Sequence, residues 1–323
     1  MAVSKAGRGI AFLITFVAWL LLTSQTDKNA FQSLTVVDTR DNNENNTTLH
    51  QMPQNEMNIS WIDAIPFGEL KENAVLIFFH IPKTGGSTYI GSVGKLDFIE
   101  SHFAPGRNAF KRMLPRLNYL CSNPPSADEP RKTGLFILHG LAPSFWELQE
   151  QLQHWRSNAK ANGVKIFVFT SLREPISWYL SAFNYHYRRD GRDRLPATEE
   201  GLLRAAQHNP LCTYLIKGYQ YTRQSVRNQY KPTSEDCNAI LHGMYKNMDW
   251  VGTTDRMKES TELLRRLLGL PPDFEFTNKR ILTGKNGTLT LKMLSPHTIE
   301  YHRNISALDY DLYQKALEWE YQL

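Results

Sequence analysis

The stretch Phe79-His80-Ile81-Pro82-Lys83-Thr84-Gly85-Gly86-Ser87-Thr88 decides how this chain is read. It grows out of the apolar run Ala74–His80 (AVLIFFH), bounded by polar residues and Pro82. A continuous run of this kind reads as a parallel strand buried on both faces. Gly85 and Gly86 then mark a tight turn, and a helix is expected from about Ser87. Such a helix start offers unpaired backbone N–H groups and the positive end of the helix dipole to an anion. The glycines let the backbone approach closely, Thr84, Ser87 and Thr88 add hydroxyl donors, and Lys83 adds a mobile positive charge. That chemistry suits a phosphate or sulfate ester held at the carboxyl end of a sheet strand. The pattern is not the Walker loop, because here the lysine precedes the glycines. Lys-Thr-Gly also occurs in penicillin-recognising serine enzymes. Ser157-x-x-Lys160 is present, but Ser-Asp-Asn is absent and the motif order is reversed, which excludes that chemistry.

Outward from this stretch, Leu135–His139 (LFILH) and Lys165–Ser171 (KIFVFTS) are further buried strands, and Trp250–Gly252 is a short one. Helical patterns lie between and after them. They cover Ser144–Ser157, Pro175–Arg188 with proline at its start, and Thr233–Asn247 with the capping-box-like Thr233-x-x-Asp236. Two more cover Glu259–Leu268, stopped by Gly269 and Pro271-Pro272, and about Leu308–Tyr321. Strands alternating with helices predict an α/β domain over residues 71–323, a central parallel sheet flanked by helices. The proline-bearing stretch from about 104 to 132 reads as irregular connection on the substrate side.

The chain has 323 residues, enough for one or two domains with a full core. Ordinary glycine (19) and proline (16) counts exclude collagen-like and low-complexity classes. A net charge of +5 fits anionic partners but is too small to indicate nucleic acid, which is not expected as a partner. Ahead of the domain, Gly9–Leu22 is a 14-residue apolar run inside an 18-residue uncharged window, 9–26, with Lys5 and Arg8 before it. The window stands between signal-peptide and membrane-span length. Ser24-Gln25-Thr26 makes a poor cleavage site, so an uncleaved signal anchor is expected. Residues 1–8 would then face the cytosol and everything after the anchor the lumen. The polar, asparagine-rich residues 27–70 read as a luminal stem. Glycosylation sequons begin at Asn45, Asn46, Asn58, Asn286 and Asn304, which agrees with a secretory route. In that oxidising compartment Cys212 and Cys237 are a candidate bridge that leaves Cys121 unpaired, although spacing alone does not fix connectivity.

Strand–Pro82-Lys83-Thr84-Gly85-Gly86-Ser87-Thr88–helix resembles the 5′-phosphosulfate loop of Golgi carbohydrate sulfotransferases, in the group containing heparan sulfate 2-O- and 6-O-sulfotransferases. That family carries a second signature, an arginine, then a proline, then a serine eight residues after the arginine. Here it reads Arg173-Glu174-Pro175-Ile176-Ser177-Trp178-Tyr179-Leu180-Ser181. The resemblance continues through Trp250–Arg256 into Asp311-Leu312-Tyr313-x-x-Ala316-Leu317 and spans about residues 74–320.

The resemblance implies a P-loop-like sulfotransferase fold and 3′-phosphoadenosine 5′-phosphosulfate (PAPS) as co-substrate, with no metal. Lys83 and the amides and hydroxyls of Thr84, Gly85, Gly86, Ser87 and Thr88 would hold the 5′-phosphosulfate, with Lys83 neutralising the leaving oxygen. Arg173 and Ser181 would grip the 3′-phosphate. For the general base, His139 ends a strand on the same sheet edge as the loop, and His80 is the reserve. Some family members carry His-Gly-His where this chain has His139-Gly140-Leu141. His102, His154 and His186 lack such a context and read as surface residues. Basic clusters at Arg107–Arg116, Arg188–Arg194 and Lys279–Lys285 suit a groove for an acidic polysaccharide, and Lys279–Ser295 is a segment placed to close over the nucleotide. The implied whole is a single-pass type II Golgi membrane enzyme acting on a glycan hydroxyl. Its rivals are a non-catalytic glycan-binding protein of the same fold and a nucleoside-phosphate kinase.

Overall fold

The computed structural model describes residues 60–104, 106–123, 131–139, 144–187, 195–218, 230–277 and 288–319. The expected cytosolic tail, anchor and most of the stem lie outside these residues. So do four of the five sequons (Asn45, Asn46, Asn58, Asn286), the clusters Arg188–Arg194 and Lys279–Lys285, and most of the expected nucleotide-closing segment. Among the described residues no helix is long and apolar enough to cross a membrane.

The expected strands are present. They are β1 (Ala74–His80), β3 (Thr133–His139), β4 (Lys165–Leu172) and β5 (Trp250–Thr253), joined at one edge by an unforeseen β2 (Ile99–Ala104). All neighbours are parallel, in the order β2-β3-β1-β4-β5. The buried runs have their cause here, because helices cover both faces. On one face Tyr89 of α1 (Gly86–Val93) meets Phe78 and Phe169 edge-on, with ring centroids 5.3 and 5.9 Å away. On the other, Phe145 of α3 (Phe145–Ala161) meets Phe79 at 5.8 Å. The chain leaves β1 toward β2 and β3, then crosses back to β4 on the opposite side. The carboxyl ends therefore part beside β1, and open parallel sheets place their ligand crevice at such a point.

Three expectations are corrected. The stretch 104–132 is not irregular throughout, since Arg107–Ser122 forms α2 with Pro115 inside it. Proline in a helix costs about 3 kcal/mol, but Phe110, Met113, Leu117 and Leu120 are buried on the opposite face, each worth about 1.5–3 kcal/mol. Second, the expected helix Pro175–Arg188 is α-helical only as α4 (Pro175–Ala182), and a π-helical turn follows at Phe183–Tyr187. Third, the folded body begins before residue 71. A 3₁₀ turn at Ser60–Ala64 leads to the buried Ile65 and Leu70, while Gly68 and Leu70 donate backbone bonds to the carbonyls of Arg266 and Leu267.

The remaining α-helices among the described residues are α5 (Glu199–Arg204), α6 (Pro210–Lys217), α7 (Ser234–Asn247), α8 (Met257–Leu267), α9 (Pro296–Ile305) and α10 (Ala307–Leu317). The expected capping box of Thr233 with Asp236 forms on α7, and a second one, Ser144 with Glu147, starts α3. Cys212 of α6 and Cys237 of α7 are joined in a disulfide, and Cys121 is free and buried. Asn304 is exposed on α9.

Candidate active site

Between β1 and α1 the chain makes a tight arch. Lys83 and Gly85 both adopt left-handed backbone, with φ of 71° and 83°. For Lys83 this conformation is unfavourable and is held in place by its surroundings. Three braces do so. The Thr84 hydroxyl donates to the Ile81 carbonyl at 2.7 Å, the Trp178 indole donates to the Pro82 carbonyl at 2.7 Å, and Arg173 Nη1 donates to the Lys83 carbonyl at 3.4 Å. Thr84 is fully buried, so its hydroxyl shapes the loop instead of facing a ligand as the sequence suggested. Gly86 is required by contact, because a Cβ there would come within 2.0 Å of His80 Nε2.

Helix α1 has Gly85 as its N-cap, with no capping side chain on its first-turn amides. Thr88, one turn in, has a buried hydroxyl oxygen with no hydrogen-bond partner among the described residues. An orphaned hydroxyl beside uncapped amides and a lysine fits an oxyanion of a phosphosulfate, since each group is a donor. Ser87 is half-exposed at the same helix start.

Strand β4 lies directly beside β1, and the Thr170 hydroxyl ties the two together through the Phe79 carbonyl at 2.6 Å. Just past β4, burial draws the Arg173 guanidinium below its ordinary pKa, offset in part by Glu174, Asp255 and Tyr313. Among the described residues no carboxylate pairs with Arg173. Its neighbour Glu174 instead caps α4 by accepting from the Ser177 amide at 2.8 Å, and accepts from the Tyr310 hydroxyl at 2.6 Å. A half-buried cation whose nearby carboxylates make no direct ion pair with it, among the described residues, is a costly arrangement that an incoming phosphate would relieve. Ser181 is half-buried on α4 one turn after Ser177, and no hydrogen bond joins it to Arg173.

On the other side of β1, His139 ends β3 in register with His80, and their ring centroids are 4.7 Å apart. His80 is buried with an Nδ1 that has no hydrogen-bond partner among the described residues, and desolvation, followed by the charges of His139 and Lys83, lowers its pKa to about 3. It is therefore neutral, which fits a packing and positioning part. His139 is half-buried. Of the histidines read as surface residues, His154 is exposed, but His102 is half-buried and stacked on Phe136 at 4.7 Å.

The structure thus brings Lys83, Thr84, Gly85, Gly86, Ser87, Thr88, Arg173 and His139 to one end of the sheet. Sequence reading missed Trp178 and Tyr185. The Tyr185 ring lies 4.3 Å from Lys83 Nζ, on the π-helical turn. The π-turn, which aims Tyr185, has no periodic sequence signal. Trp178 lay inside the Arg173–Ser181 signature, and its indole N–H was a sign that it needed a buried acceptor.

A search of curated protein sequences gives no match. Among solved structures, this chain is similar to the crystal structure of mouse sulfotransferase SULT7A1 complexed with PAP, at 12% identity and a TM-score of 0.41, covering 81% of this chain and 93% of that one. The model of the sulfotransferase family matches residues 70–316, which contain the loop, Arg173, Ser181 and His139, and the chain belongs to that family.

Proposed function

We propose that this sulfotransferase uses PAPS to sulfate a hydroxyl of a glycan, an acidic polysaccharide such as heparan sulfate or another glycosaminoglycan. The observation that carries the reading is the junction of the Lys83–Thr88 loop with Arg173, a cation that bonds the loop's own backbone and, among the described residues, makes no direct ion pair with a carboxylate. In this reading the α1 amides, Ser87 and Thr88 hold the 5′-phosphosulfate, while Arg173 and Ser181 hold the 3′-phosphate. His139 takes the proton of the acceptor hydroxyl as that oxygen bonds to sulfur. The bond from sulfur to the bridging phosphate oxygen breaks, and Lys83 stabilises the charge left on that oxygen. Every group named is a donor or a base, so the residues suffice for transfer by positioning and charge neutralisation.

We place the enzyme in the Golgi membrane as a single-pass type II protein with its catalytic domain in the lumen. The charge pattern around residues 9–26 supports this, as do the sequons and the Cys212–Cys237 bridge, a feature of oxidising compartments. The test uses full-length protein in membranes with [³⁵S]PAPS and a panel of chemically desulfated glycans. Label should enter a glycan with wild type and not with Lys83→Ala. Label entering none of them, from a protein that binds PAP, would refute the glycan assignment.

A further inference from the structure

Three rings stand in a row on one face of the sheet, on three neighbouring strands. His80 of β1 is opposite His139 of β3. Phe103 of β2 is opposite Ile137, two residues before His139, so its side chain emerges on the same face as His139. Its ring lies 5.4 Å from the His139 ring. Exposure rises along the row, from His80 at 7% through half-buried His139 to Phe103 at 52%. At the closed end His80 packs on Gly86 of the phosphate loop. At the open end β2 is the edge strand, and Ile99 and Ala104 are the β2 residues that enter the core. Phe103 is thus a large apolar ring in solvent, beside the candidate base and outside the packing that holds β2.

We propose that Phe103 is the stacking platform for a pyranose ring of the acceptor. The acceptor then enters over the β2–β3 edge and presents its hydroxyl to His139, while the donor occupies the β1–β4 side. A phenyl ring offers a flat apolar face and no hydrogen bond, so its partner must bring a flat C–H face with its polar groups at the rim. A sugar ring has that form, and its rim hydroxyls would reach the neighbouring histidine. The helix that follows β2 adds charge of the matching sign. Helix α2 carries Arg107, Lys111, Arg112 and Arg116 with no acidic residue, and Arg107 stands in its first turn, where a cation opposes the helix dipole. Glu100 pairs with Arg116, while Arg107, Lys111 and Arg112 are exposed. An anionic sugar chain running from Phe103 along this helix would meet those charges.

This inference rests on the glycan sulfotransferase reading, so the test separates the two. Full-length wild type, Phe103→Leu and Phe103→Trp are compared, with PAP affinity by calorimetry and KM for chemically desulfated heparin. Phe103→Leu should raise the glycan KM by about tenfold, the scale of one lost ring stack, with PAP affinity unchanged, and Phe103→Trp should restore it. An unchanged glycan KM in Phe103→Leu overturns the platform, as does a loss that tryptophan does not rescue or a parallel fall in PAP affinity. p-Nitrophenol serves as an aryl acceptor in the same assays. Loss of transfer to it alone, with glycan transfer intact, also overturns the sugar platform. If the wild type binds no PAP, the donor reading itself fails.

Discussion

The rings of His80 and His139 meet edge to face, 4.7 Å apart, at the carboxyl ends of two adjacent strands. The two histidines are not equivalent. His80 is sealed against Gly86 and kept neutral by burial, whereas His139 is half-open beside it. A base must reach the acceptor proton, and only His139 has that access. His139→Ala should lower kcat by roughly 10²–10⁴-fold, the ordinary scale of a lost general base, with PAP binding retained. Single-turnover transfer and calorimetry on one preparation check this.

Lys83 Nζ lies 4.3 Å from the centre of the Tyr185 ring, and Lys83 itself sits on left-handed backbone. The ring face attracts the ammonium and limits where it goes. Tyr185→Phe keeps the face and should keep most of kcat. Tyr185→Leu removes it and should lower kcat about fivefold, consistent with about 1 kcal/mol. Steady-state kinetics on the pair decide the point, since equal activity in both variants would dissociate Tyr185 from Lys83.

Arg256 fastens the far side of the sheet. It bonds both carboxylate oxygens of Glu259, itself only 3% exposed, and the carbonyls of Leu317, the last residue of α10, and of Trp319 just past it, at 2.6 and 3.0 Å. Arg256→Ala strands a buried carboxylate and should destabilise the protein by about 3–5 kcal/mol. Arg256→Met combined with Glu259→Leu should recover much of that loss, because it removes both charges. Urea unfolding of the three proteins gives the answer.

Acid should weaken the fold. Burial lowers His80 to a pKa of about 3 and His302 to about 4, while both revert to about 6.5 when the chain unfolds. The unfolded chain therefore binds more protons between these values. The stability these histidines contribute is complete above about pH 6.5 and is lost as pH falls toward 3–4. Asp309, fully buried while accepting from the Leu211 and Cys212 amides, is raised to about 7 and acts oppositely, so its contribution declines as pH rises from about 4 through 7. Replacing His302 with Phe, which suits its place beside Tyr179, should flatten the decline on the acid side. Thermal midpoints at pH 4.5 and 7 for both proteins measure the difference.

Much of the sheet was legible because β1, β3 and β4 are continuous apolar runs, a pattern that burial on both faces imposes. Strand β2 (IESHFA) was not, because an edge strand mixes polar and apolar residues and its Phe103 faces solvent. Helix α2 was hidden by Pro115, whose local cost is outweighed only by burial that the sequence does not display. Glycines and proline marked the phosphate loop, and the Arg173–Ser181 spacing marked its partner. The fact that Thr84 turns inward and Tyr185 lies beneath Lys83 comes from tertiary packing around a left-handed lysine and a π-turn. No local pattern encodes either contact.

The most direct test of the donor site is PAP binding by calorimetry to full-length wild type and to Arg173→Ala. The half-buried guanidinium beside the loop predicts that wild type binds and that Arg173→Ala weakens binding by about 10–100-fold, the scale of charge-assisted hydrogen bonds. No binding by the wild type, or equal affinity in the two proteins, would contradict the placement of the nucleotide between β1 and β4.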